Sequence, residues 1–462
     1  MDPKNIRLKL IPFLGKSILL LTCIFIPIAV FSEIPISIIE DGQLFPTAVS
    51  DRSGGAVIMW EDYRTGNDWD VYTQRINNEK TLLWDQKGVP ISVADRNQRR
   101  LRMVGYDTHT IVVWNDRRRI RSWDIFAQAI DLEGKVLWET DGIPICIDDT
   151  DQSTQAILAD GEGGAIIVWE DERRSSEFQD LYIQRVDSQG NILWKKDGIT
   201  VFESDSSQSE PILSADGLGG FYIIWWDVIG YDNWHIMAHR YNIDGTPIWD
   251  SPILISPTDG MQGIPRVVSD NENGIIVVWQ IYENFINDQI YAQRINPNGD
   301  KQWKEEGVPI CTADGIQKNH AIVEDGSGGI IVVWRDERDI YGDLYMQRIS
   351  ADGTIIWKEN GIPLCTAGGH QDRPYIVNLD DDTFFISWVD FRGDVGEKTA
   401  NAIYCQKIDI SGNILWDKDG VPVSTSKGEH YPPFVVSIGN GECMVVWSNS
   451  GRDNGDIFLK RF

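Results

Sequence analysis

Histidine is scarce in this 462-residue chain: there are six, with no H-x-E pairing, so the usual zinc-hydrolase arrangements find no ligand set. No G-x-S-x-G elbow marks a serine nucleophile, and no P-loop cradles a phosphate. Alanine-rich helical stretches are missing. No Pro-rich linker, charge block or low-complexity stretch marks a second domain. The acidic triplet Asp380-Asp381-Asp382 lacks the ligand spacing of an EF-hand. Positive charge is also in deficit, with 42 Lys and Arg against 70 Asp and Glu, a net charge of −28. Such a surface repels nucleic acid phosphates and anionic headgroups. No cofactor, no metal and no nucleic acid partner are expected.

Long apolar runs are absent except one. Lys4, Arg7, Lys9 and Lys16 form a basic leader before the apolar stretch Ser17 to Phe31, the pattern of an export signal. Val30 and Ser32 suit the −3 and −1 positions of a cleavage site. Residues 1–32 are therefore read as a signal peptide and 33–462 as the mature chain, secreted, periplasmic or at the cell surface. An uncleaved anchor is the competing reading, for which the stretch is short. A lipoprotein through Cys23 fits less well, because Leu20-Leu21-Thr22 is a poor lead. Beyond this segment no membrane contact is expected, and the mature chain is read as a monomer. Five cysteines remain, Cys146, Cys311, Cys365, Cys405 and Cys443. An odd number leaves one unpaired. The first three hold equivalent places in three repeats and are read as small buried residues.

What the chain has in plenty is tryptophan, nineteen in all. One series closes an apolar run: Trp60, Trp114, Trp169, Trp225, Trp279, Trp334, Trp388 and Trp447. A second ends a shorter run: Trp84, Trp138, Trp194, Trp249, Trp303, Trp357 and Trp416. Both recur about every 55 residues. A glutamine precedes each first-series Trp by 16 to 18 positions: Gln43, Gln98, Gln152, Gln208, Gln262, Gln317 and Gln371, with Glu429 in the eighth place.

Each unit divides into four strands. Strand A follows the Gln, and an Asp/Gly turn leads to strand B, as in Ile330-Ile331-Val332-Val333-Trp334. Strand C reads Asp343-Leu344-Tyr345-Met346-Gln347-Arg348, and a second turn precedes strand D. Strand B is apolar at consecutive positions, so both faces of its sheet must be covered. Sheets stacked around an axis meet that demand. The fold class is all-β: a single eight-bladed β-propeller of four-stranded antiparallel blades. The eighth unit stops after strand C, while Ile34-Pro35-Ile36-Ser37 matches Val421-Pro422-Val423-Ser424. The mature N-terminal segment is thus expected to close the ring beside blade eight.

The segment Ala129 to Trp138 resembles the tryptophan-docking repeat of the quinoprotein alcohol dehydrogenase propellers and the related outer-membrane assembly lipoprotein. The whole unit is similar to a group of secreted bacterial repeats marked by W-x-D-x-R and D-I-Y-A-Q-R, seen here at Trp169 to Arg173 and Trp334 to Arg338. The resemblance implies eight blades and export. It does not imply the dehydrogenase chemistry, because no two cysteines are adjacent.

Candidate binding residues lie on the face shared by the B–C loops and D–A connections. An acid and a base recur there: Asp62 and Arg64, Asp116 and Arg118, Asp171 and Arg173, Asp336 and Arg338, Asp390 and Arg392. Their regularity also fits a structural ion pair. Four tryptophans outside both series, Trp69, Trp123, Trp226 and Trp234, fall in or beside B–C loops with Phe178, Tyr231, Tyr282, Phe285, Tyr341 and Phe391. Such rings suit stacking on sugars or capture of peptide segments, or they pack on neighbouring loops. The Gln series is placed at the channel mouth, where its amides otherwise satisfy loop backbone. Nearby bases, Arg99, Arg100, Arg102, Arg266, His320, Arg373 and His430, make either a local anion site or pairs with neighbouring acids. The leading expectation is an exported binding propeller for a glycan or protein. The alternatives are a glycan-cleaving hydrolase or lyase with acids in the funnel, and an envelope scaffold with no small ligand.

Overall fold

The computed structural model describes residues 33–462, apart from 176–177, 231–232, 257–260, 284–286, 340, 394–400 and 451–454. The proposed signal at 1–32 lies outside the described residues. No helix among the described residues is long and apolar enough to cross a membrane. The strands form eight four-stranded antiparallel sheets. Blade one is Gln43–Ser50, Ala56–Asp62, Asp70–Ile76 and Val89–Ser92, in the spatial order A, B, C, D. Six further blades repeat it. The eighth takes its A, B and C strands from Phe434–Gly439, Glu442–Asn449 and Asp456–Arg461, and its outer strand is Ile34–Ser37. The N-terminal strand pairs antiparallel with the last one, Ile34 opposite Leu459. The chain is an eight-bladed β-propeller closed by its own N-terminal segment.

Strand B explains why the sheets stack. In blade six Ile330, Val332 and Trp334 point into one neighbouring interface and Ile331 and Val333 into the other. The period-two alternation of a strand puts both sets underground at once. Apolar clusters fill all eight blade–blade interfaces, including that between blades eight and one, where Ile36 and Leu459 meet Ile58 and Trp60. The first-series indoles are fully buried. Gly361 shows how tightly: at φ +84°, a Cβ there would lie 2.5 Å from the Trp334 ring.

Polar rivets join blades on the face of the A–B turns. Arg294 and Trp303 of blade five both donate to the carbonyl of Ala351 in blade six, at 3.0 Å each. Arg75 and Trp84 do the same at Leu132, and Arg240 and Trp249 at Pro297. At the seam, Arg461 donates to Asn78 of blade one. Strand A of each blade touches strand A of the next, so the A strands are innermost and wall the central channel.

Candidate functional site

The recurring Asp–Arg pairs are structural, which corrects their reading as ligand groups. In blade six the Trp334 indole donates to Asp336 at 2.8 Å, and Arg338 donates to both oxygens of the same carboxylate at 2.7 and 2.6 Å. The guanidinium also reaches the Asn360 carbonyl at 2.8 Å and stacks on Tyr345 at 3.9 Å. Asp62, Asp116, Asp171, Asp336 and Asp390 all have fully buried side chains, so none is available to a ligand. Cys146, Cys311 and Cys365 lie under Arg173, Arg338 and Arg392 of these staples, which gives the repeated cysteine its role. Where the acid is lost or diverted, the indole loses its acceptor. In blade five Ile281 replaces it, in blade eight Asn449 does, and in blade four Asp227 binds Ser206 instead. Trp279, Trp447 and Trp225 accordingly have unpartnered ring N–H groups.

A second acid stands across from the staple. Asp70, Asp124 and Asp343 open strand C directly opposite Asp62, Asp116 and Asp336. Burial, together with the facing carboxylates, pushes Asp70 and Asp124 up to about 7 and Asp343 up to about 6. Because the folded state holds protons that the unfolded chain gives up above about pH 4, stability falls as pH rises from there and levels off above 6 to 7. The unfolding midpoint is therefore expected to be higher at pH 5.5 than at pH 8. Asp124→Asn should flatten this slope, and an unchanged slope in that variant would refute the assignment.

The glutamines do not line the channel mouth, a second correction. All seven are fully buried. Their amides donate backward into the D–A connections, Gln98 to Ala94 and Arg96, Gln317 to Ala313 and Gly315, Gln371 to Ala367 and Gly369. Gln43, Gln152 and Gln208 cap Asp41, Thr150 and Phe202 in the same way. An amide donating to a loop carbonyl fixes that loop and is spent on it.

The residue two places later faces the channel. In blade two Gln98 pairs with Asp116 and Arg99 with Asn115, and pairing resumes at Arg102 with Val113. Arg100 and Leu101 therefore oppose Trp114 alone, a β-bulge. Seven blades carry it, and its first residue is left-handed each time: Phe45, Arg100, Thr154, Glu210, Ile264, Asn319 and Arg373, with φ from 41° to 59°. None is glycine, so each conformation costs on the order of 1–2 kcal/mol. Glu61 and Glu170 help to hold two of the bulges, accepting from the backbone N–H of Arg100 and Glu210 of the following blades at 2.7 Å. Burial pushes both carboxyls above their ordinary range. Tyr431 takes the place in blade eight.

All eight of these positions line one of two adjoining cavities. The larger, about 980 Å³, is lined by the rings of Phe45, Trp123, Tyr431 and Phe434 and by the charged groups Glu61, Arg99, Arg100, Arg102, Glu210 and Arg373. The smaller, about 410 Å³, takes Ile264, Arg266, Asn319, His320, Arg373 and Tyr375. Strand A starts on the face where strand B ends, so the larger cavity opens on the face of the B–C loops.

The loop aromatics divide. Trp123 lines the cavity, with Arg117 over its ring at 5.4 Å. Trp69 packs on Tyr63 at 5.1 Å and under Arg99 at 5.2 Å. Trp226 stacks on Trp234 at 5.8 Å, and Tyr282 meets Trp234 edge-on at 6.3 Å, a cluster that lines neither cavity. Tyr341 is exposed beside His370, and Phe178 and Phe391 are half-buried. Tyr231 and Phe285 lie outside the described residues. Among the bases, His430 is tied into Ser424 and Asn401 away from the lumen. His235 and His239, four apart on one strand, are no metal pair, since that spacing spans about 13 Å in a strand. His239 is buried between Tyr241 and Trp249, and burial pulls it down to about 4.

No protein-family model and no curated protein matches the sequence. Solved structures match in fold. The BP39L lectin from Burkholderia pseudomallei is 12% identical with a TM-score of 0.50, covering 84% of this chain and all of that one. The polysaccharide lyase Uly1 is 11% identical with a TM-score of 0.48, covering 78% of this chain and 89% of its own. The α-L-arabinofuranosidase from Lactobacillus brevis is 11% identical with a TM-score of 0.34, covering 60% and 96%.

Proposed function

We propose that the chain is an exported glycan-binding propeller, and that the glycan enters the mouth of the central channel on the B–C face. The observation that carries this reading is the cavity of about 980 Å³, lined together by the rings of Phe45, Trp123 and Tyr431 and by Arg100, Thr154, Glu210 and Arg373. Apolar faces for sugar C–H groups beside fixed hydrogen-bonding groups suit a glycan. That the site breaks the eightfold regularity at the bulge residues supports the same reading. The shared fold with a lectin is in keeping with it. We also place the repeats with the secreted bacterial W-x-D-x-R group, in keeping with export of residues 33–462.

A hydrolytic role asks for two free carboxylates flanking the scissile bond. Glu61 accepts from Arg99 at 2.8 Å and from the Arg100 backbone, and Glu170 from Ser153 at 3.1 Å and the Glu210 backbone. That leaves Glu210 as the one carboxylate lining the larger cavity without an ion pair among the described residues. Binding is therefore preferred over cleavage. A glycan array probed with the chain 33–462 is expected to give a defined set of hits. Trp123→Ala should weaken them about tenfold, roughly 1.4 kcal/mol, while Trp226→Ala leaves them unchanged. An array without hits, or equal losses in both variants, would count against the reading.

A further inference from the structure

The channel carries charge of the wrong sign for this protein. Its two cavities are lined by five guanidinium groups, Arg99, Arg100, Arg102, Arg266 and Arg373, and by two carboxylates, Glu61 and Glu210, a surplus of three positive charges in a chain of net −28. Of the five, Arg99 is neutralised, by Glu61 at 2.8 Å. Among the described residues no carboxylate stands within ion-pair distance of Arg100, Arg102, Arg266 or Arg373, although the same chain pairs Arg75, Arg185, Arg240, Arg294 and Arg348 with buried aspartates elsewhere.

Arg102 and Arg266 stand further along the channel, two residues after the first bulge residue of blades two and five, with their side chains exposed to the lumen. Their one shared counter-charge is Glu210. Desolvation inside the channel pulls both below the ordinary guanidinium range, Tyr375 lies within electrostatic range of each, and Arg266 feels Arg102 as a like charge. Among the described residues their side chains donate to neighbouring carbonyls, Arg102 to Leu101 and Arg266 to Pro265, at 3.0 Å each. His320, 3% exposed, lines the smaller cavity with Arg266. Like charges lining one channel without ion-pair partners repel one another, and a bound oxyanion relieves that repulsion. The planar guanidinium forks and the phenol of Tyr375 are donors for such a group.

We infer that the inner tier of the channel, Arg102, Arg266 and Tyr375, binds an oxyanion, and that the glycan recognised at the mouth is acidic, bearing carboxylate or sulfate groups. The second half of this statement rests on the glycan reading, and the first half does not.

Two measurements on the chain 33–462 separate them. The first is an array carrying uronate- and sulfate-bearing glycans beside their carboxyl-reduced and desulfated counterparts. The second is calorimetric titration with inorganic sulfate at low ionic strength. Hits confined to the acidic members are expected, with sulfate binding that weakens as NaCl is added. Arg102→Gln/Arg266→Gln should abolish sulfate binding and reduce array signals at least about tenfold. Arg102→Lys/Arg266→Lys, which keeps the charge but not the fork, should fall between, and an unchanged unfolding midpoint shows that each variant is folded. Equal binding of acidic and neutral glycans overturns the inference and leaves the glycan reading standing. Arginine-dependent sulfate binding with no glycan hit sinks the glycan reading and keeps the oxyanion site. Silence in both measurements overturns both.

Discussion

A chain that starts at Ile39, without the strand Ile34–Ser37, is expected to lose about 4–6 kcal/mol of stability. Ile36 is 1% exposed and packs with Leu459, Ile58 and Trp60 across the interface of blades eight and one. Burying one such side chain is worth roughly 1.5–3 kcal/mol, Ile34 adds a partly buried second, and each lost ladder hydrogen bond costs about 1 kcal/mol. The last strand, Asp456–Arg461, would become an open edge. Urea unfolding of the two chains measures the difference. A synthetic peptide spanning residues 33–40, added in trans, should restore part of it. An unchanged midpoint would mean that the ring is not held shut by this strand.

Asp336→Ala is the second large effect. It removes the acceptor of the Trp334 indole and of three Arg338 donors in a single step. Stripping one partner from a buried charged network costs about 3–5 kcal/mol. Arg338 keeps its contact with Asn360 and some access to water, which places the change at the lower end. Asp336→Asn retains one acceptor oxygen and should lose about half as much. Ile281→Ala, at the same position of blade five, touches no such network and should show only the loss of a partly buried side chain. Urea midpoints for the three variants check the order, and equal losses in all of them would contradict the staple.

The architecture was legible because its determinants are local and repeated. Consecutive apolar residues in Ile330–Trp334 demand cover on two faces, and the match between Ile34–Ser37 and Val421–Ser424 names the missing strand. The site was less legible for the same reason. Attention to what recurs picks out Gln371 or the Asp390–Arg392 pair, and the structure shows that recurring polar groups are the ones each blade needs for itself. The lumen-facing position is the one that changes from blade to blade, as Phe45, Arg100, Thr154, Glu210, Ile264, Asn319, Arg373 and Tyr431 do. A variable position two residues after a recurring Gln is visible in the sequence, but a bulge that turns it into the lumen is not, because non-glycine residues carry no local signal for a positive φ. The aromatic B–C loops were half informative: Trp123 reaches the cavity, whereas Trp226 and Trp234 satisfy each other.

We place ligand recognition at the bulge residues and Trp123 around the mouth of the channel, and not at the repeating motifs or the Trp226–Trp234 loop cluster. A crystal structure of the chain 33–462 with an acidic oligosaccharide drawn from the array tests it most directly. The account predicts sugar density between Phe45, Trp123 and Tyr431, with an acidic group directed toward Arg102 and Arg266. Density on the Trp226–Trp234 cluster, or on the outer rim of the blades, would contradict it.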